Sequence, residues 1–171
     1  MQALTEQQIR DSLANTSRRE SKQVTLPDLA QVDWATLDYL GWHDAKRPED
    51  AFVVLEVEDK PVGVMVRAAK RSGARRKSMC NWCQDFLVTT DVSMYVARRA
   101  GALGRRGDTV GTLICTDFDC SRNVRRTPSI EEVGSGDAEE KARLIERRIT
   151  GLRERSSRFV VNLLEQGSSP G

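Results

Sequence analysis

Apolar and polar positions along this 171-residue chain change their period several times, and each change predicts an element. Leu4, Ile9 and Leu13, with Gln8 beside Ile9, predict a short amphipathic helix ending near Ala14. Thr5 is its N-cap and Gln8, three residues on, completes a capping box. Thr16 to Thr25 is polar and basic and predicts a loop. Leu26-Pro27 and Asp28 open a turn. Trp34, Leu37, Tyr39, Leu40 and Trp42 follow within nine residues and are expected in the core. The β-rich run Ala51–Val57, the turn Glu58-Asp59-Lys60-Pro61 and the run Val62–Arg67 predict a hairpin with a largely buried face.

Ala68 to Ser78 is a basic loop. Val92–Val96 alternates as a strand, Gly101–Asp108 is a glycine-rich turn, and Thr109–Ile114 is the returning strand. A helix is expected around Cys115–Val124, with Asp117 and Asp119 favourable near its start. Ile145, Ile149, Leu152, Phe159, Val160 and Leu163 recur at helical spacing after Asp137, an N-cap with Glu140 three residues on. Gly151 interrupts that pattern, costs about 1 kcal/mol relative to Ala, and predicts a kink or break there. Gly167–Gly171 reads as a disordered tail.

Composition narrows the class. An apolar content of 39% suffices for a real core. No apolar run approaches the length of a membrane span. The start, Met1-Gln2-Ala3-Leu4-Thr5-Glu6, lacks the basic and apolar regions of a signal peptide, so a cytoplasmic protein with reduced thiols is expected. Net charge is only +2, yet it is unevenly placed. Residues 1–66 carry 7 basic and 12 acidic side chains, residues 67–126 carry 13 and 5, and residues 127–171 carry 7 and 8. The central block, at +8, suggests an RNA, ribosomal or acidic protein partner. A solvated basic surface without a partner is the alternative.

All four cysteines fall inside that block, as Cys80-x2-Cys83 and Cys115-x4-Cys120. Two close pairs supply the four soft ligands of a tetrahedral zinc, and four thiolates leave no open position for water or substrate. One structural zinc is therefore expected. Two disulfides or a redox-active Cys80/Cys83 pair are alternatives, the second leaving Cys115 and Cys120 unexplained. The order knuckle, hairpin, helix is that of a treble clef.

Catalytic signals are weak. His43, the only histidine, sits in Gly41-Trp42-His43-Asp44 among turn formers and reads as a surface or loop residue. Gly101, Gly104 and Gly107 lack the lysine and helix opening of a phosphate loop. Asn15-Thr16-Ser17 is formally a glycosylation triplet. Arg75, Arg76 and Lys77 could contact phosphate in a salt-sensitive, sequence-blind way.

Met79-Cys80-Asn81-Trp82-Cys83, Val92–Val96, Val110-Gly111-Thr112-Leu113-Ile114-Cys115 and Asp117-Phe118-Asp119-Cys120-Ser121 resemble the elongation factor G-binding protein family. That is the treble-clef zinc-finger family of the fusidic-acid resistance proteins. Leu37–Trp42 and Pro61–Val64 resemble its actinobacterial members, and the resemblance spans about residues 8 to 126. It implies a protein that binds elongation factor G and helps it leave the ribosome, with zinc on Cys80, Cys83, Cys115 and Cys120. The family's resistance proteins carry a separate N-terminal helical domain, where this chain shows one short helix and a loop.

The expected fold is thus α+β: a treble-clef zinc finger fused to a small β-hairpin and helical core, with a long C-terminal helix. The expected division is 1–25, N-terminal helix and loop; 26–126, the factor-binding zinc-finger domain; and 127–171, C-terminal helix and tail. The expected partner is elongation factor G, with the ribosome or its RNA second, and no membrane. Candidate contacts are Phe86, Arg98, Arg99, Arg105 and Phe118, with no catalytic residue. Competing readings are an RNA-binding zinc module built on residues 67–126 and a thiol enzyme using Cys80 or Cys83.

Overall fold

The computed structural model describes residues 1–69, 78–85, 91–134 and 136–165. Its centre is a five-stranded antiparallel meander in chain order. The strands are β1 (Tyr39–His43), β2 (Asp50–Val57), β3 (Lys60–Ala68), β4 (Val92–Arg98) and β5 (Thr109–Cys115). The helices are α1 (Glu6–Ser12), α2 (Arg18–Gln23), α3 (Gly101–Arg105), α4 (Cys120–Val124), α5 (Ile130–Val133) and α6 (Ala138–Leu164).

The continuous apolar run of β2 is buried on both faces. Tyr39, Val53, Leu55, Val64, Val66, Tyr95 and Ile114 join Leu152, Phe159, Val160 and Leu163 of α6 on one side. Leu40, Trp42, Phe52 and Val54 meet Ile9, Leu13 and Val24 on the other. Trp42 stacks on Phe52 at 5.3 Å, while Trp34 is only half-buried. The packing runs across both expected domain boundaries, because α1 lies on the first hairpin and α6 closes the opposite face.

Several local expectations are corrected. Residues 18–23 form α2 rather than loop, because Ser17 and Glu20 make a capping box like that of Thr5 and Gln8. The β2–β3 turn is two residues shorter than expected. Glu58 and Asp59 both take positive φ (50° and 62°), the twist a two-residue hairpin requires, and Lys60 and Pro61 already belong to β3. The Gly101–Asp108 turn contains α3. The second cysteine pair is not spanned by helix: β5 ends at Cys115 and α4 begins at Cys120. Asp137 caps α6 through the amide of Glu139. That helix runs 27 residues without a break at Gly151. The glycine's cost of about 1 kcal/mol is small beside the roughly 1.5–3 kcal/mol from burying each of Leu152, Phe159 and Leu163. The tail and most of the basic loop lie outside the described residues.

Strands β3 and β4 pair only through Arg67–Val96 and Ala68–Tyr95, then separate. Asn15 fills the gap. Its amide nitrogen donates to the carbonyls of Met65 and Arg98, both at 2.9 Å, and its oxygen accepts from the Met65 amide at 2.7 Å. A side-chain amide thus stands in for a strand, and it is committed to the fold rather than presented for glycosylation. Asn15→Ala leaves these backbone groups without partners. We expect a loss of about 1–3 kcal/mol in urea unfolding, against which a change below about 0.5 kcal/mol would count.

Candidate metal centre

The first cysteine pair is a tight knuckle. Trp82 and Cys83 direct their amides at Cys80 Sγ (3.3 and 3.4 Å), and Gln84 donates to the Cys80 carbonyl at 3.0 Å. The Asn81 amide bonds the Leu113 carbonyl at 2.7 Å, which seats the knuckle on β5. The second pair uses a turn in which Phe118 takes φ 59° and donates to the Cys115 carbonyl at 3.0 Å. Left-handed backbone at a bulky residue costs about 1–2 kcal/mol. It is offset by burial of the Phe118 ring against Tyr95 (5.3 Å) and His43 (5.2 Å). The ring also lies over Gly41, where a Cβ would approach it to 2.5 Å. Glycine in the middle of β1 is therefore needed for that close approach.

These elements bring all four sulfurs within 4.8 Å of one another, and all four cysteines are buried. Cys80 and Cys120 Sγ are 3.6 Å apart, Cys83 and Cys115 Sγ 3.7 Å. A tetrahedron with zinc–sulfur bonds of about 2.3 Å has an edge of about 3.8 Å. The four cysteines are free thiols at these separations, which excludes two closed disulfides in this structure.

Electrostatics argue the same way. The Cys80 thiol is pulled far below its ordinary range by hydrogen bonds from Cys115 and Cys120. Cys120 is pushed well above it by its hydrogen bonds to Cys115 and Cys80. Four sulfurs this close cannot all ionise unless a cation sits among them. The Asn123 side chain reaches Cys115 Sγ at 3.4 Å, so with the two knuckle amides three N–H groups face the sulfurs as an outer shell. The donor set, its spacing and its outer shell fit one structural zinc.

The surroundings hold this centre in place. Trp82 is buried, packed edge-on to Tyr39 at 5.1 Å and against Phe159 of α6 at 5.7 Å. Tyr39 donates to the Phe118 carbonyl at 3.2 Å. Burial, then the neighbouring Cys120, pushes its phenol well above the usual range. A family model described as FBP C-terminal treble-clef zinc-finger matches residues 8–163. The chain belongs to that family. A comparison with curated proteins finds no match. The family's treble clef is present here as the Cys80–Cys83 knuckle, the β4–β5 hairpin and α4, and it takes one structural zinc.

The other candidate residues separate. Arg98 and Arg105 are exposed and form no ion pair among the described residues. Arg99 is held by α6: its guanidinium donates to the Asn162 carbonyl and to Asn162 Oδ1 at 3.0 Å. Phe118 belongs to the core of the finger, where its ring cannot reach a partner's surface. Phe86 lies outside the described residues. His43 is not a loop residue. It ends β1, half-buried, with Nε2 2.9 Å from the Thr116 carbonyl and 3.3 Å from the Tyr95 hydroxyl. The supporting roles of Tyr39 and His43 depend on contacts distant in sequence, and that of Asn123 on the turn between β5 and α4, neither of which spacing alone reveals.

Two ionic clusters tie the finger to the helices. Asp38, whose carboxylate is fully buried, binds Arg125 (2.5 Å) and Arg153 (2.8 Å), and Ser121 caps its amide at 2.9 Å. Arg126 bridges Asp85 (3.2 Å) and Glu132 (2.8 Å), and Arg148 of α6 also binds Glu132. Arg126, aided by the Ser129 amide, holds the Glu132 carboxyl down to about 2. Because that value lies below the ordinary one, Glu132 stabilises the fold above about pH 4.5, and the contribution is lost as pH falls towards 2. Glu132→Gln should therefore destabilise the protein at neutral pH, and its difference from the parent should shrink between pH 5 and 3. Chemical unfolding at each pH checks this; a difference independent of pH would contradict it.

Proposed function

We propose that this chain is a zinc-stabilised binding protein that engages elongation factor G in the cytoplasm, at the ribosome, and promotes its release. The single observation that carries the reading is membership of the FBP zinc-finger family over residues 8–163, with the four-sulfur centre intact. A centre closed by four buried sulfurs has no coordination position for substrate, which favours a binding role over a thiol or metal-dependent enzyme. Among the described residues no helix is long and apolar enough to cross a membrane.

The +8 charge of residues 67–126, the stretch that contains all four cysteines, supports an acidic partner. Within it, Arg98 and Arg105 remain as surface candidates, whereas Arg99 and Phe118 serve the fold. Charges at an interface rim act mainly through association rate and salt dependence. RNA binding through the same block is the second reading, favoured by the +8 charge of residues 67–126.

Titration of purified elongation factor G by calorimetry tests the proposal. The parent should bind. Arg98→Glu with Arg105→Glu should weaken binding several-fold at low salt and less at high salt, with zinc content and melting unchanged. Equal affinity of parent and double variant would exclude these contacts. No binding by the parent, together with nuclease-sensitive capture from lysate, would replace the factor by RNA.

A further inference from the structure

Gly151 sits in the middle of α6, where glycine is the weakest choice short of proline, and the helix runs through it unbroken. The space left by its missing side chain is occupied. A Cβ at residue 151 would stand 2.6 Å from one terminal nitrogen of the Arg155 guanidinium and 3.1 Å from its central carbon. Arg155, one turn on and half-buried, thus lies folded back across the glycine, and its Nε donates to the Trp82 carbonyl at 2.7 Å. That is its one hydrogen bond among the described residues, and it forms no ion pair there. Carboxylates are near, since Asp85, Glu131 and Glu132 line the same cleft beside Cys83. Arg126 binds Asp85 and Glu132, Arg148 also holds Glu132, and Glu131 is exposed to solvent. Arg155 is committed to the knuckle instead.

The Trp82 carbonyl shares one peptide group with the Cys83 amide, and that amide donates to Cys80 Sγ at 3.4 Å. A guanidinium bonded to the oxygen draws electron density from the planar peptide and makes the N–H at its other end a stronger donor. The demand for such a donor is electrostatic. Four thiolates around a divalent zinc leave two negative charges uncompensated, and buried charge is unfavourable unless it is paired or hydrogen-bonded. We infer that Arg155 is a positioning residue for the metal centre. Seated in the vacancy at Gly151, it acts through the Trp82–Cys83 peptide to strengthen the hydrogen bond on Cys80 and so raises zinc affinity. The role is independent of which partner the protein binds. It also gives the mid-helix glycine a use: only without a side chain at 151 can the guanidinium lie there. A plain tie between knuckle and helix would need the hydrogen bond but not the charge, and this difference separates the two roles.

Zinc affinity of the full chain, measured by competition with a chromophoric chelator, tests this, with the Cys83 amide proton in heteronuclear NMR as the local reporter. Arg155→Met keeps the aliphatic length and removes the charge. Affinity should fall about ten- to a hundredfold, as for other outer-shell partners of metal ligands, and the Cys83 amide proton should move upfield with helix content unchanged. Arg155→Lys keeps a cation and should recover most of the loss. Gly151→Ala separates placement of the charge from strength of the helix. Alanine favours the helix, yet its methyl group displaces the guanidinium, so affinity should fall while helix content holds or rises. Parent affinity in Arg155→Met overturns the inference, and so does a lysine variant as weak as the methionine one. A loss of affinity with the Cys83 amide unmoved overturns it too and reduces Arg155 to a tie between knuckle and helix. Undiminished affinity in Gly151→Ala overturns the part assigned to the vacancy.

Discussion

Four thiolates from two well-separated stretches must share one point, and most of the fold is arranged to let them. Cys83 and Cys115 are 32 residues apart in sequence, yet their sulfurs lie 3.7 Å apart. Bringing them together closes a long loop against chain entropy, and clustering four ionisable sulfurs in a buried pocket is unfavourable without a cation. Zinc answers both: its two positive charges offset half of the four thiolates' charge, and the free energy of binding it becomes free energy of folding. The knuckle, the end of β5 and the start of α4 acquire a fixed mutual geometry as a result.

That geometry is passed outward by packing and by charge. Trp82 sits between Tyr39 of β1 and Phe159 of α6, so the knuckle is a contact between sheet and helix as well as a ligand turn. Asp38 and Glu132 each gather arginines from separate elements. Asp38 is buried and shared by Arg125 and Arg153, so it acts as a registration point between β1, α4 and α6. The side of the sheet that these ties do not reach is the β4–β5 face carrying Met94 and Leu113.

What the sequence disclosed follows from range. The cysteine pairs, the hairpin strands and the periodicity of α6 are local or chemically unambiguous, and they appear where the pattern places them. The capping boxes Ser17–Glu20 and Ser129–Glu132 are equally local, and they mark α2 and α5, two elements that a polar composition disguises as loop. The extent of helix after Cys115 was not legible, because the left-handed Phe118 turn depends on Gly41, 77 positions earlier in the chain. Arg99 and Phe118 look like surface residues by composition. Only the position of Asn162 and the stack of Tyr95, His43 and Phe118 turn them into structural ones. Gly151 shows the reverse: an intrinsic penalty is plain in the sequence, and burial on both sides of it decides the outcome.

X-ray absorption at the zinc edge, on protein purified without added metal, tests the central claim most directly. One zinc per chain with four sulfurs at about 2.3 Å and no nitrogen or oxygen in the first shell is the predicted result. A mixed ligand shell, or a folded protein without metal whose four cysteines are linked as disulfides, would contradict it.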